Sequence, residues 1–490
     1  MNLRPHQEHA IDLLRDSLRR GKRRPMLAAP CSFGKTITAA ALLKSALDKG
    51  KRGIFICDRI KLVSQTLKAF DKQGLPFGVM QGNHELTDPR QPIQVASIQT
   101  LSRRRTMPDF DFAIVDEAHT HYKHLTTMME AYNNVVFVGL SATPMSKGLG
   151  KHYDDLVVPI TTEELLNQGY LCPVEYYGGR ELNTQGIQVK ALPTGGTDFD
   201  PKMLGEAAEK DVKLTGDIVT NWVKHGWGRQ TIAFSPSIKH SKGLVEEFKK
   251  FGIPAAHIDG YMDEADRQRL YAAHDAGEFL ILSCSKLLNT GYDAPSVSCL
   301  IDCRPTKSKI VFVQTAGRIF RTAPGKEKAI YLDHSGNIQR HGFPEFITPS
   351  ELDDGSKRFS EDRQVRKKEK KVNSCPKCQL KMTGPKCVCG FEFKQTEEMY
   401  TDGTELVKLQ KKSNKTYSPE RKAEFFGELL HYAETRGYKR GWASVHYRDK
   451  FGVWPNKIEP VKVSGLSEEV TNWIKHSNIK ARYLAMKKVA

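Results

Sequence analysis

The sequence predicts an α/β protein: two successive domains, each a mostly parallel sheet with helices on both faces, then a small cysteine-rich module and a basic, mainly helical C-terminal segment. Three observations predict it. Short apolar runs bounded by Gly, Pro or polar residues alternate with helical patterns along two separate stretches. Four cysteines gather between Cys375 and Cys389. From residue 401 onward the chain reads as helical and carries 18 Lys or Arg against 10 acidic residues. A chain of 490 residues fits this division, since a domain takes about 150 residues.

In the first stretch, PMLAAP (25–30), GIFICD (53–58), PIQVAS (92–97), FAIVDE (112–117) and VVFVGLSAT (135–143) read as buried strands. Helical patterns at Thr36–Asp48 and Leu62–Lys72 lie between them. These define a first domain over 1–160. Residues 161–210, with ALPTGGTDFDP, have little pattern and read as a connector. The alternation resumes with QTIAFSP (230–236), AAHID (255–259), FLILSC (279–284), SCLIDC (298–303) and KAIYLDH (328–334), a second domain over 211–350. Residues 351–372 read as a basic linker, with eight Lys or Arg against three acidic residues from Lys357 to Lys371. The cysteine module takes 373–395, and 396–490 is a basic helical domain that binds nucleic acid or a partner.

The formal net charge of +18 points to a polyanionic partner, most often nucleic acid. No run of about 18 apolar residues suggests a membrane span. The N-terminus, MNLRPHQEHAIDLL, lacks the apolar core of a signal peptide. The expected location is therefore intracellular. In a reducing compartment the scattered Cys31, Cys57, Cys172, Cys284, Cys299 and Cys303 read as plain buried thiols.

The octapeptide Ala29-Pro30-Cys31-Ser32-Phe33-Gly34-Lys35-Thr36 follows an apolar strand and opens a helix. It has the form of a phosphate-binding loop, with Ala29 at the usual position of the first glycine. Backbone amides and the helix N-terminus there would cradle phosphate oxygens. Lys35 would place a charge on the β- and γ-phosphates, and the Thr36 hydroxyl would ligate Mg²⁺.

Asp116-Glu117-Ala118-His119 follows the strand FAIV. Strand ends of open parallel sheets are where ligands bind. Asp116 suits a magnesium ligand and Glu117 a residue that polarises the attacking water, since phosphoryl transfer needs chiefly positioning and charge neutralisation. His119, with Ser141 and Thr143 after the next strand, suits a link between the nucleotide site and a coupling segment.

In the second domain, Gln314, Arg318 and Arg321 of QTAGRIFR fall on neighbouring turns of a helix. Arginine stays charged and binds phosphate bidentately, so the two arginines suit a transferring phosphoryl group. In isolation the same pattern is an amphipathic helix with two surface arginines. Upstream, Gly291 and Asp293 of LNTGYDAP suit nucleotide contacts and Thr290 a contact to a phosphate backbone.

Taken in order, these motifs resemble those of the superfamily 2 helicases over about residues 1–345. The resemblance implies two RecA-like domains with ATP and Mg²⁺ between them and nucleic acid crossing both. It places Gln7 of Leu3-Arg4-Pro5-His6-Gln7 at adenine, with Arg4 beside it. It sets Arg59, Ser97, Gln99, Thr100 and Ser235 on the sugar-phosphate backbone. Within the superfamily, LRPHQ (3–7), SIQTL (97–101), LLNTGYDAP (287–295), RPT (304–306), QTAGRIFRTAPGK (314–326) and LDHSGN (332–337), followed by cysteines, are most similar to bacterial RadD-type DNA repair helicases and their phage relatives. DEAH stands where such proteins have DECH, and the last 90 residues depart from that pattern. DEAD-box RNA helicases usually carry His at the position of Gln314.

That resemblance implies a cytoplasmic motor, in a bacterial or phage-infected cell, acting on single-stranded, forked or branched DNA. A single-strand-binding or recombinase protein is a candidate partner. An RNA helicase, the motor of a restriction or defence system, and a recombination accessory factor are the alternatives.

Cys375-Pro-Lys-Cys378 and Cys387-Val-Cys389 put four thiolates within 15 residues, which suits structural tetrahedral Zn²⁺ in a ribbon-like module. A disulfide, a redox site or an iron–sulfur cluster fits the same cysteines. From Tyr438 to Trp454 aromatic and basic residues interleave. Trp442 and Tyr447 would stack on unpaired bases, or they would form the aromatic core of a small helical bundle with a basic face.

Overall fold

The computed structural model describes residues 3–356 except 58–59, 83, 105–106, 108, 180, 193–195, 286–291 and 293, then 405–409, 419–451 and short pieces between 454 and 474. It divides into two units, Met1–Gln410 and Lys411–Ala490. Arg59, Thr290, Gly291, Asp293 and the cysteines Cys375, Cys378, Cys387 and Cys389 lie outside the described residues.

The first unit opens with α1 (Pro5–Arg19), β1 (Pro25–Ala28), α2 (Lys35–Leu47), β2 (Gly53–Cys57), α3 (Ile60–Lys72), β3 (Phe77–Met80), β4 (Ile93–Ser97), α4 (Ile98–Leu101), β5 (Phe112–Val115), α5 (Lys123–Ala131), β6 (Val136–Ser141) and β7 (Asp155–Val157). The seven strands form one sheet in the order β3-β4-β2-β5-β6-β1-β7, and every pairing is parallel. All five residues of β2 and of β4 are buried, as expected of strands apolar on both faces and covered by helices on both sides. The order sets β5, β6 and β1 side by side. The carboxyl ends of three strands far apart in sequence therefore meet at one edge. Two backbone bonds hold them there: Ala29 N donates to Ser141 O at 2.9 Å, and Ala118 N donates to Leu140 O at 3.0 Å.

A second sheet follows. Its elements are α6 (Thr162–Asn167), β8 (Val174–Gly178), the hairpin β9 (Val189–Ala191) and β10 (Thr197–Phe199), α7 (Pro201–Lys210), α8 (Val212–His225), β11 (Thr231–Phe234), α9 (Ile238–Lys250), β12 (Ala255–Ile258), α10 (Glu264–Asp275), β13 (Ile281–Cys284), β14 (Cys299–Asp302), α11 (Lys309–Ala316), β15 (Ala329–Asp333), α12 (Asn337–His341) and β16 (Val407–Lys408). The order is β12-β13-β11-β14-β15-β8-β16, parallel throughout except for β16. The stretch 161–210 is thus more than a connector. It supplies β8, paired along its length with β15, and the separate hairpin β9–β10. The start of the expected basic linker also packs: Gly150 N donates to Asp353 O at 2.8 Å, and Gly148 N to Asp353 Oδ1 at 3.0 Å.

One apolar cluster joins the two sheets. It runs from Ala10, Leu14, Ala29 and Phe33 to Phe312, Val313, Ala316, Ile319 and Phe320. The second unit contains α13 (Pro419–Thr435) and α14 (Arg440–Phe451), which close with Val470 and Ile474 over a core of Phe425, Phe426, Leu429, Ala443 and Tyr447. Among the described residues no helix is long and apolar enough to cross a membrane.

Candidate functional site

The loop after β1 turns into α2 through Gly34, whose φ of +94° lies in the left-handed region. Glycine is required there twice over. A side chain would be strained at that φ, and its Cβ would lie 2.3 Å from Gln7 Nε2. Gly34 also brings no side chain to cap α2, so the amides that open the helix keep their capacity for an anion. Ser32, at φ +67°, and Glu117, at φ +49°, are non-glycine residues in the same strained region, one on each side of the site.

Lys35, the first residue of α2, reaches across the sheet edge. Its Nζ lies 2.6 Å from Glu117 Oε1 and 3.7 Å from Asp116 Oδ1. Burial alone would lower the lysine pKa, but the Glu117 and Asp116 carboxylates outweigh it and hold it well above the usual range. Burial would likewise raise Glu117. The Lys35 charge and its hydrogen bond prevail and hold the carboxyl well below the usual range. The pair is therefore ionised at neutral pH. Thr36, next in α2, is half-buried.

His119 is 5% exposed. Its Nδ1 lies 2.9 Å from Ser141 Oγ and 3.3 Å from Glu117 Oε2. Burial lowers its pKa to about 4 despite Glu117, so the ring is neutral at pH 7. Ser141 Oγ also accepts from Thr143 N at 3.0 Å, and Ser146 Oγ donates to His119 O.

The second sheet enters here. The Gln314 amide Nε2, on α11, stands 3.3 Å from His119 Nε2 and 3.5 Å from Thr143 Oγ1. A neutral ring that accepts from Gln314 at Nε2 carries its own proton on Nδ1, facing Ser141 and Glu117. One turn on, Gly317 packs against the phosphate-loop residue Cys31: a Cβ at Gly317 would sit 2.5 Å from Cys31 Sγ. Arg318 and Arg321 follow, and the helix expected through both is corrected: α11 ends at Ala316, so the two arginines stand on the turn and coil beyond it. Burial lowers the pKa of both, and Cys31 and Glu117 are among the groups acting on Arg318.

Arg318 is held by Tyr292, which three further residues brace, and the sequence singles out none of the four. Its Nη1 donates to Tyr292 O at 2.9 Å. The Tyr292 hydroxyl donates to Asp275 Oδ1 at 2.7 Å and lies 2.8 Å from His274 Nδ1. The Tyr292 ring stacks on Tyr271 at 4.5 Å and 15°. The signal in the sequence is weak, because YAAHDAG reads only as the end of an amphipathic helix. Lys326 is a fifth addition: its Nζ donates to Arg321 O at 2.8 Å and to Pro295 O at 3.1 Å.

Gln7 sits at the loop but is committed to it. Its Nε2 donates to Phe33 O at 3.1 Å, its Oε1 accepts from Arg4 N at 2.9 Å, and it is 2% exposed. Arg4 lies over the Tyr170 ring, 5.2 Å from its centroid. Ser97 caps α4, with Oγ accepting from Thr100 N at 3.2 Å, and Ser235 Oγ lies 3.2 Å from His240 Nδ1. Both serines are buried, whereas Gln99 is exposed and Thr100 half-buried. The expected stacking role of Tyr447 is corrected. Tyr447 is fully buried between Phe426, at 5.3 Å, and Phe451, at 4.6 Å, because its side of α14 is the core side. Trp442, on the same helix, is only half-buried.

Comparison with known proteins agrees with this geometry. The family model "Type III restriction enzyme, res subunit" matches residues 1–146, and "Helicase conserved C-terminal domain" matches 214–323. A "51.5 kDa protein" of Lactococcus phage (isolate 7-9) is 28% identical over 65% of this chain and 67% of its own. The "ATP-dependent DNA helicase uvsW" of Enterobacteria phage T4 is 22% identical over 64% of this chain and 65% of its own. Among solved structures, a fragment of a putative HsdR subunit of a type I restriction enzyme from Vibrio vulnificus YJ016 superposes with a TM-score of 0.55. It covers 72% of this chain and 66% of that one at 19% identity, a likeness of fold. The chain spans about two thirds or less of the curated relatives it matches first. The two family models together cover just over half of the sequence and meet where Gln314 faces His119, and on that basis the chain belongs to the superfamily 2 ATP-dependent helicases.

Proposed function

We propose that this protein is an ATP-driven DNA motor that remodels branched or damaged DNA in repair, recombination or replication. The continuous polar chain Lys35–Glu117–His119–Gln314 carries the reading, because it ties a phosphate-binding loop in one sheet to the helix α11 of the other, whose following segment carries the two arginines. ATP between the sheets would take its phosphates at the amides opening α2. Lys35 would then exchange a carboxylate for phosphate oxygens. Glu117, freed from Lys35, is the base that orients water, and Arg318 and Arg321 face the transferring group from the other side. Thr36 and Asp116 offer oxygen donors on either side of Lys35, a set that fits Mg²⁺. The ion supplies charge neutralisation when bound.

His119 and Gln314 report the state of this site to the second domain. Changes in the cleft move the two sheets, and Gln99, Thr100, Arg59 and Thr290 step along one strand. Gln7 and Arg4 define the adenine end, with Gln7 acting through the loop backbone it braces, and the motif resemblance assigns Gly291 and Asp293, which lie outside the described residues, to nucleotide contact. The net charge of +18 suits nucleic acid of either kind, and a relative named a DNA helicase supports DNA over RNA. The motif set quoted above supports a place near the RadD-type enzymes. We further propose that Cys375, Cys378, Cys387 and Cys389 bind structural Zn²⁺, since an all-thiolate donor set suits that ion. The motor is tested by ATP hydrolysis with no nucleic acid, single-stranded DNA, forked DNA or RNA. Stimulation strongest on forked DNA is expected. Stimulation by RNA alone would move the protein to RNA metabolism, and stimulation by none would end the motor reading.

A further inference from the structure

We propose that the C-terminal unit carries a stacking platform for the unpaired bases of single-stranded nucleic acid, with Tyr438 as its outer plane. The inference rests on the motor reading only for its setting.

Tyr438 follows the end of α13, and the backbone there is fixed. Gly437 takes φ +69°, Gly437 N donates to Glu434 O at 3.2 Å, and Tyr438 N reaches back to Ala433 O at 2.8 Å. This closes the helix as a glycine C-cap does. It aims the next side chain from a rigid base. Tyr438 is 50% exposed.

Its ring does not stand alone. It stacks on Trp442 at 5.2 Å and 15°, and Trp442 stacks on His446 at 3.8 Å and 25°. Tyr432 closes the side of the ladder against Trp442 at 5.3 Å. Three parallel planes thus end in an exposed phenol. A base added to Tyr438 continues a stack already ordered, so little side-chain entropy is lost on binding.

The charge matches a polyanion. From His431 to Trp442 the sequence holds Arg436, Lys439 and Arg440 against Glu434. Arg436 and Lys439 are exposed, and the Arg436 guanidinium lies over Tyr432, 5.8 Å from its centroid. Tyr447, on the opposite side of α14, is excluded by its burial. A stack end with flanking cations fits a splayed single strand, whose bases are free to leave their own stack. A duplex hides those faces.

The test uses the full chain without ATP and a labelled oligothymidine of about 20 nucleotides, read by fluorescence anisotropy. Tyr438→Ala is expected to weaken binding roughly fivefold or more while leaving the salt dependence in place. Tyr438→Phe, which keeps the ring, should bind as wild type does and guards against a folding defect. Lys439→Gln should lower the salt slope by about 0.7. Unchanged affinity in Tyr438→Ala, or equal wild-type affinity for a blunt duplex, would overturn the proposal. A wild-type chain that binds the oligomer through Tyr438 but shows no stimulated hydrolysis would refute the motor and leave the platform standing.

Discussion

The Nε2 atom of His119 and the Nε2 atom of Gln314 lie 3.3 Å apart, although one belongs to the first sheet's edge and the other to a helix of the second. His119 also touches Glu117, which touches Lys35. The phosphate loop and the second sheet are therefore linked through one neutral imidazole. A contact of this kind, between side chains of two sheets, suits the coupling proposed above.

Gln314→Ala and His119→Ala should accordingly leave hydrolysis without nucleic acid within a fewfold of wild type and abolish most of its stimulation by DNA. A double-mutant cycle on the stimulated rate should give a coupling of about 0.5–3 kcal/mol, as for residues in one network. Additive losses would show that the contact carries no signal.

Tyr292 holds Arg318 by its carbonyl while Asp275 and His274 hold the Tyr292 hydroxyl. Tyr292→Phe should lower kcat roughly tenfold through misplacement of the guanidinium, with KM for ATP unchanged. The loss in unfolding free energy should be about 1–3 kcal/mol, for the two hydrogen bonds of the hydroxyl. A matched fall in kcat and rise in KM would instead assign Tyr292 to nucleotide binding.

Gly317 tolerates no side chain while Cys31 faces it. A Cβ there would approach Cys31 Sγ to 2.5 Å and Cys31 Cβ to 2.7 Å. Gly317→Ala should hold the cleft apart and reduce hydrolysis by at least tenfold. Cys31→Gly in the same chain should restore part of it, whereas Cys31→Ala should not, since the Cβ remains. Equal activity in Gly317→Ala and wild type would show that the two sheets do not close at this point.

Acid should unfold the protein early. Burial holds His119 and His240 down to about 4 and His334 to about 3, from an ordinary 6.5. Between pH 6.5 and about 4 the unfolded chain binds protons that the native chain refuses, so stability falls as pH falls through that window. Asp302 acts in the opposite sense. Burial and the neighbouring Asp333 raise it from 3.8 to about 6, so the native chain keeps a proton there that the unfolded chain has lost. Three imidazoles outweigh one carboxyl, and Tm should drop from pH 7 to pH 5. A flat or rising Tm over that range would contradict these assignments.

Much of this was legible in the sequence, and the reasons are specific. Strands such as β2, β4 and β14 are apolar on both faces and bounded by breakers, so they stand out as runs. The loop before Lys35 stands out because few chemistries need a glycine ahead of Lys-Thr at the start of a helix. β3, β7 and β8 were not legible. β3 and β7 are short, and β8, as Val174-Glu-Tyr-Tyr-Gly178, is only half-buried at Glu175, Tyr177 and Gly178, so polar positions break its apolar run. The neighbours of Arg318 were hidden for another reason. Asp275, His274 and Tyr292 come from a helix end and a loop that only the tertiary fold brings together. Tyr447 stays open in the sequence between stacking and core, because alternating aromatic and basic residues mark a two-sided helix without saying which side is the core; its full burial decides for the core.

The central claim is that one catalytic site is shared by the two sheets, with Lys35 on one side and Arg318 and Arg321 on the other. The most direct measurement is DNA-stimulated ATP hydrolysis by Arg318→Ala and Arg321→Ala beside Lys35→Ala, with nucleotide affinity followed by titration of a fluorescent ATP analogue. The account expects kcat to fall about a thousandfold in each arginine variant while affinity changes less than tenfold, and Lys35→Ala to lose hydrolysis altogether. Hydrolysis near the wild-type rate in both arginine variants would contradict it.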